Sequence, residues 1–253
     1  MVGIPRVPLA LALVGLTSPA PLREQILHAR SLGFRGVQLN AAAVDARPRD
    51  LERSARRDLA ALLRRHELLC AGVDLFIPPA HFVDSTRVDR AVQATFDAID
   101  FVAEIAGLAG GRAVVCATLP NDEAASGVVA SLVGRARSSA VLLADCSWPA
   151  AEGAGVASEK PAICIDPASV LQAGADPATE LSRRAASVAA ARLSDIDSVG
   201  RVVPGDGRLD VLGYLVALSM RADLLPVVFD PRGIARADEA ARRTIDRCGL
   251  AAG

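Results

Sequence analysis

The residues best equipped for chemistry in this chain are aspartates and arginines placed at the ends of short apolar runs. Asp145, Asp166 and Asp230 each close such a run, Arg192, Ser194 and Asp195 close another, and Gln38 and Asn40 a further one. Carboxylates brought together repel unless a cation, a proton or an arginine relieves them. A hard divalent ion such as Mg²⁺ or Mn²⁺ is suited to that task because it takes oxygen ligands, which makes Asp145, Asp166 and Asp230 candidate metal ligands. The plainer alternative for each is an aspartate that caps the next helix.

The rest of the catalytic inventory is short. Lys160 is the single lysine, and the histidines are His28, His66 and His81. Lys160 precedes an apolar run, on the side of a barrel away from substrate, so a Schiff-base mechanism has no lysine to use. His28 and His66 fall within helical patterns, leaving His81, in a proline-rich loop, as a candidate acid or base or else a turn residue. No Gly-x-Ser-x-Gly elbow accompanies it, which sets aside a serine hydrolase. Five cysteines, odd in number and without C-x-x-C spacing, argue against a disulfide framework and against a thiolate zinc site; they read as buried apolar residues in a reducing compartment.

These candidates need a scaffold that gathers strand ends. Apolar runs at residues 7–16, 37–42, 70–77, 113–119, 141–146, 162–166, 189–194 and 226–230 alternate with amphipathic stretches, clearest over 87–109, the pattern of a parallel sheet with crossover helices. Most units repeat at a spacing of roughly thirty residues, which fits one βα step. The first run also resembles the apolar part of a signal peptide, but it leads into a turn and a helix pattern, as a buried first strand would. Residues 147–161, broken by Ala, Gly and Pro, are too short for a full crossover, so the fifth helix is expected to be reduced or missing. No Gly-x-Gly-x-x-Gly follows the first run, which disfavours an open dinucleotide-binding sheet. The expectation is a (β/α)8 barrel, a TIM barrel, as one domain over residues 1–253, with its chemistry at the C-terminal strand ends.

With 253 residues, 51% of them apolar, and 28 basic against 29 acidic side chains, the chain has enough material for one large core and no charge bias toward nucleic acid or anionic membrane. No stretch reaches the length of a membrane span. The expected setting is cytoplasmic, with a small molecule as partner. Glycines and arginines over 201–210 and 230–235, including Gly205, Gly207, Gly233, Arg208 and Arg232, stand where barrels often hold phosphate, although the glycines equally suit turns.

On these residues the chain resembles the xylose isomerase-like sugar phosphate isomerase/epimerase superfamily, whose barrels also include the endonuclease IV type of nuclease. The resemblance covers most of the chain. It is carried by LREQILHARSLGFRGVQL, RVDRAVQATFDAIDFVAEIAGLAG, CIDPASVLQAGADP, RLSD and VPGDGRLD, in that order. It implies a metal held by residues on strands five to eight, at positions that correspond here to Asp145, Asp166, Arg192 and Asp230. Of these only Asp166 keeps the residue type usual in the family, and Asp-Pro-Gly-His corresponds to Asp166, Pro167, Ala168 and Ser169 here. The nuclease chemistry is disfavoured, since the histidines and a basic face are missing. The implied reaction is proton transfer next to a carbonyl through an enediolate, on a sugar or sugar phosphate, with Asp145 and Asp230 as acid and base and His81 as a further candidate. Gln38, Asn40, Ser169, Arg208 and Arg232 are the expected substrate contacts. Arg192 changes the physics of the metal position, because a guanidinium offers only donors. Paired with Asp145, Asp166 and Asp230 it would supply charge in the ion's place. Two readings follow: an isomerase or epimerase of carbohydrate metabolism, working without a metal or with a divalent cation (Mn or Mg), and a non-catalytic barrel that binds a small ligand or a protein partner.

Overall fold

A computed structural model describes residues 7–16, 20–150 and 159–248. Each apolar run forms a strand, because a run buried on both faces is stable only within a parallel sheet covered by helices. The barrel strands are β1 (Leu9–Ala12), β2 (Gly36–Asn40), β3 (Leu69–Leu75), β4 (Val114–Ala117), β5 (Leu142–Asp145), β6 (Ala162–Ile165) and β7 (Val188–Leu193). A short hairpin follows, β8 (Asp195–Ile196) with β9 (Arg201–Val202), and β10 (Val227–Phe229) completes the wall. All wall pairings are parallel, and β1 pairs with both β2 and β10, which closes the barrel.

Helices α1 (Leu22–Ser31), α2 (Arg53–Arg65), α3 (Val88–Ala109), α4 (Ser126–Ser138), α7 (Val211–Ser219) and α8 (Ala237–Arg247) pack outside the wall. The short α5 (Pro167–Gln172) and α6 (Pro177–Arg183) follow β6. Among the described residues no helix joins β5 to β6; residues 151–158 lie outside them. No described helix is long and apolar enough to cross a membrane.

Side-chain alternation divides the core in two. Residues such as Val37, Leu39, Val115, Leu143 and Ile165 join the helices in the large outer core. The barrel interior is lined by small side chains, among them Ala10, Ala12, Ala71, Ala144, Ala162 and Ala190. Such an interior leaves space along the axis for one large polar side chain, a point that matters at the mouth.

A bulge in β3 determines which of its residues faces that interior. Pairing with β2 shifts between Val37↔Cys70 and Leu39↔Val73, so Ala71 faces inward, Val73 outward and Asp74 inward again. Gly72 absorbs the extra residue at φ +104°, and a Cβ there would stand 2.6 Å from the Val114 carbonyl oxygen. Gly72→Ala therefore meets both a disfavoured dihedral and a backbone clash, and is expected to cost about 2–3 kcal/mol. Chemical denaturation would measure it, and a change within experimental error would show that the bulge relaxes.

Candidate functional site

Arg192 enters the barrel from β7, where it is the register partner of the inward-facing Val228. Its guanidinium donates to Asp74 Oδ1 at 2.6 Å and lies 3.1 Å from Asp230 Oδ2 and 3.9 Å from Asp166 Oδ2. Two more arginines close over these carboxylates. Arg232 donates to Asp230 Oδ2 at 2.6 Å and to Asp74 Oδ2 at 3.2 Å, and Arg201 pairs with Asp166 and stands 3.6 Å from Asp230. The result is a lattice of three guanidinium groups and three carboxylates at the C-terminal end of the barrel. Asp74, Asp166, Asp230 and Arg192 are all buried within it.

Each member has a local reason for its place. Tyr214 of α7 donates to the Arg192 carbonyl at 3.0 Å. Ser194 donates to Asp166 and accepts from the Ala168 amide at 3.0 Å. Asp166 precedes α5, yet its side chain makes no capping bond; the carboxylate is committed to the lattice instead. Asp197 accepts from the amides of Val199 and Gly200 and so shapes the turn of the β8–β9 hairpin, which brings Arg201 back over the mouth.

Asp145 stands apart, and this corrects its expected place with Asp166 and Asp230 as a metal ligand and as an acid or base. It precedes the inward-facing position, so it points toward the helix layer. There it accepts from the Leu119 amide at 3.1 Å, the Ser147 amide at 3.0 Å and the Ser147 hydroxyl, beside a cavity that α4 also lines. Lys160 lines the same cavity. The next residue, Cys146, faces the interior, and Asp74 supplies the third carboxylate. Asp74 and Arg201 were missed as site residues. Regular alternation gives no clue to Asp74 because Gly72 resets it, and Arg201 lies at the edge of the 201–210 segment without having been singled out there.

One of the two loops named as phosphate-binding candidates, residues 201–210, is already filled. Asp195, fully buried, accepts backbone hydrogen bonds from Ile196, Gly205, Gly207, Arg208 and Leu209 at 2.8–3.0 Å. The carboxylate occupies the amide nest that an anion would use, so in the 201–210 loop the glycines serve the turn, the alternative expectation for them. Arg208 is bound through its amide while the residue itself is exposed.

Other expected contacts fall in different settings. Gln38 faces inward, buried, with Oε1 lacking a hydrogen-bond partner, whereas Asn40 accepts from the Ala42 amide at 3.0 Å. Ser169 reaches Asp166 Oδ2 at 3.3 Å. His81 bonds Arg87 at 2.9 Å within the loop after β3, not a carboxylate of the lattice. The cysteines also depart from expectation. Cys116, Cys146 and Cys164, remote in sequence, bring their sulfurs within 4.8 Å of one another on neighbouring strands, so their spacing was no argument against a thiolate cluster.

Burial pushes the Asp230 pKa up, but Arg192, reinforced by Arg232 and Arg201, outweighs it and holds the group below the usual carboxylate value. Burial likewise opposes charge on Arg192, yet its pKa is held well above the ordinary one, with Asp230 and Asp74 among the negative charges that raise it. A lowered acid pKa stabilises the native state fully above the unfolded value, about 3.9, and that gain is lost as pH falls through the folded value. The urea midpoint should thus fall as pH drops below about 4. The slope should flatten in Asp230→Asn, and an unchanged slope would remove Asp230 from the effect.

The donor set does not fit a hard divalent ion. Every lattice carboxylate is paired with a guanidinium, the β7 position offers only donors, and the inward residue after β5 is a thiol. Excess Mn²⁺ or Mg²⁺ is expected to leave the melting temperature of the wild-type protein where EDTA leaves it. Specific binding would raise it.

No family model matches this sequence, and no curated protein matches it. Solved structures do match over nearly the whole chain. A xylose isomerase domain protein from Planctomyces limnophilus is 15% identical with a TM-score of 0.71, covering 96% of each chain. The probable 3-DHS dehydratase AsbF of Bacillus anthracis, involved in petrobactin synthesis, is 10% identical with a TM-score of 0.74, covering 95% of this chain and 98% of that one. An L-ribulose 3-epimerase is 14% identical with a TM-score of 0.70, covering 96% and 94%. Other structures of this kind contain zinc or magnesium. At such identities the likeness is one of fold alone, that of a closed (β/α)8 TIM barrel.

Proposed function

We propose that this chain is a sugar isomerase/epimerase-like barrel that binds a small polyhydroxylated ligand at its mouth through arginines, without a divalent metal. The observation that carries this is the position of Arg192: a buried guanidinium sits among Asp74, Asp166 and Asp230 where the resemblance implies a metal. A fixed positive charge in a water-poor site can stabilise an oxyanion next to a carbonyl, as the ion would. Arg192 Nε and Arg201 Nη1 are buried donors without hydrogen-bond partners, and Gln38 Oε1 is a buried acceptor without one. These unmatched groups are of both kinds, donor and acceptor, as the hydroxyls of a sugar are. A neutral sugar suits the site better than a sugar phosphate, since Asp195 uses the loop amides that a phosphate would need.

Of the two carboxylates expected to move the proton, Asp145 faces away, and Asp230 is ion-paired and buried. That pairing favours a second reading, in which the barrel binds its ligand without turnover. The likeness to solved structures does not decide between them, because the matching proteins include a probable dehydratase as well as an epimerase, and one fold hosts many reactions. The test is a panel of aldoses and ketoses incubated with the protein in D₂O and EDTA. Deuterium entering carbon next to the carbonyl, lost in Arg192→Leu, supports an isomerase or epimerase. A sugar-dependent rise in melting temperature without exchange supports the binding protein. Neither response across the panel overturns both.

A further inference from the structure

Three thiols meet inside the barrel beside the arginine lattice. Cys116 on β4, Cys146 just past β5 and Cys164 on β6 come from three consecutive strands, and their Sγ atoms lie within 4.8 Å of one another. The register explains this: Cys116 pairs with Ala144, one inward step below Cys146, while the pairing Asp145↔Ile163 puts Cys146 level with Cys164. The apolar residues packed with the cluster include Ala144, Ala162, Ala190 and Val114, and the Arg192 charge is close enough to act on all three thiols. Cys116 and Cys164 are 1% exposed, and Cys146 is half-buried as a residue.

We propose that Cys116, Cys146 and Cys164 form a three-thiolate site for one soft divalent cation of the Zn²⁺ or Cd²⁺ type. Metal–sulfur bonds of about 2.3 Å in a trigonal arrangement place the sulfurs about 4 Å apart, inside the 4.8 Å within which the three sulfurs already lie. A site with only sulfur donors selects soft ions over Mg²⁺ or Mn²⁺. It is separate from the carboxylate positions and does not depend on the sugar reading. Binding is a proton exchange: three thiols lose three protons to solvent and the cation gains three sulfur ligands, leaving one net negative charge. Without a metal, the hydrogen bonds of the thiols to one another, together with burial, hold the pKa of each above the ordinary value. The Arg192 charge acts in the opposite direction on each of them, which offsets part of the cost of ionising them. Cys146, just past β5 and half-buried as a residue, is the member of the cluster nearest the mouth.

The test titrates Zn²⁺ and Cd²⁺ into the reduced, chelator-stripped protein, both folded and during refolding from urea, so that slow entry does not mask binding. The expected result is one equivalent of metal per chain, an ultraviolet thiolate-to-cadmium charge-transfer band and release of protons. Cys116→Ala and Cys164→Ala should abolish the band, and both suit a wall already built of alanine. Cys248→Ala, at a buried cysteine outside the cluster, should keep it. No band and no stoichiometric binding in wild type under either protocol would overturn the proposal. So would a band that survives in both cluster variants, or free-thiol counts showing that the sulfurs have oxidised to a disulfide under reducing conditions.

Discussion

Arg192→Leu is expected to lose about 3–5 kcal/mol of folding stability, the range seen when one partner of a buried ion pair is removed. The leucine fills part of the space left by the arginine stem, so the loss is chiefly electrostatic. Asp74 Oδ1 loses its 2.6 Å donor, and Asp230 loses the Arg192 contact at 3.1 Å. Arg232 and Arg201 still hold the other sides of these carboxylates, which keeps the variant foldable. A double-mutant cycle with Asp74→Asn isolates the pair: removing the stranded charge should recover part of the loss, with a coupling of about 1–3 kcal/mol. Urea denaturation measures each corner of the cycle. A single-variant loss below about 1 kcal/mol would equate the lattice with an exposed salt bridge and undo its assignment as the central feature of the mouth.

Asp195→Ala should be the other severe substitution, at about 4 kcal/mol or more, because it deprives five amides of one charged acceptor, and each such bond is worth about 1.5–3 kcal/mol before the loop relaxes. The loop cannot simply close over the gap. Gly207 approaches so tightly that a Cβ would be 2.6 Å from Asp195 Oδ1, so the carboxylate is the filler of that space. Amide hydrogen exchange gives a signature that general destabilisation lacks. Gly205, Gly207, Arg208 and Leu209 should lose protection under conditions where β1 and β7 keep theirs. Asp195→Asn, which keeps one acceptor oxygen and brings a donor toward the same amides, should fall between the two. Uniform protection in Asp195→Ala would mean that the loop is held by other contacts.

Much of the fold was legible in the sequence because burial on both faces writes itself into a strand as an unbroken apolar run. Each of the eight wall strands coincides with one of the runs at residues 7–16 through 226–230, five lying wholly inside and β2, β3 and β7 starting one residue earlier, and α3 lies within 87–109. Strand ends also identified part of the mouth, since Asp166, Arg192, Ser194 and Asp230 are polar residues that terminate apolar runs. Asp145 looked the same and was misleading. Its position in sequence is equivalent, but the residue that faces inward is its neighbour, and one step along a strand reverses the side of the wall.

What the sequence determined by itself was therefore the order and type of elements, the closed sheet they imply, and a stock of arginines and aspartates at one end. Tertiary structure decided which of them meet. The bulge at Gly72 turns Asp74 inward, the hairpin from Asp195 returns Arg201 to the mouth, and the alignment of three neighbouring strands gathers Cys116, Cys146 and Cys164. Hydrophobic periodicity is a property of each segment alone, whereas convergence depends on register between segments and on strand parity. Those are set by packing around the whole barrel, with no local mark in the chain.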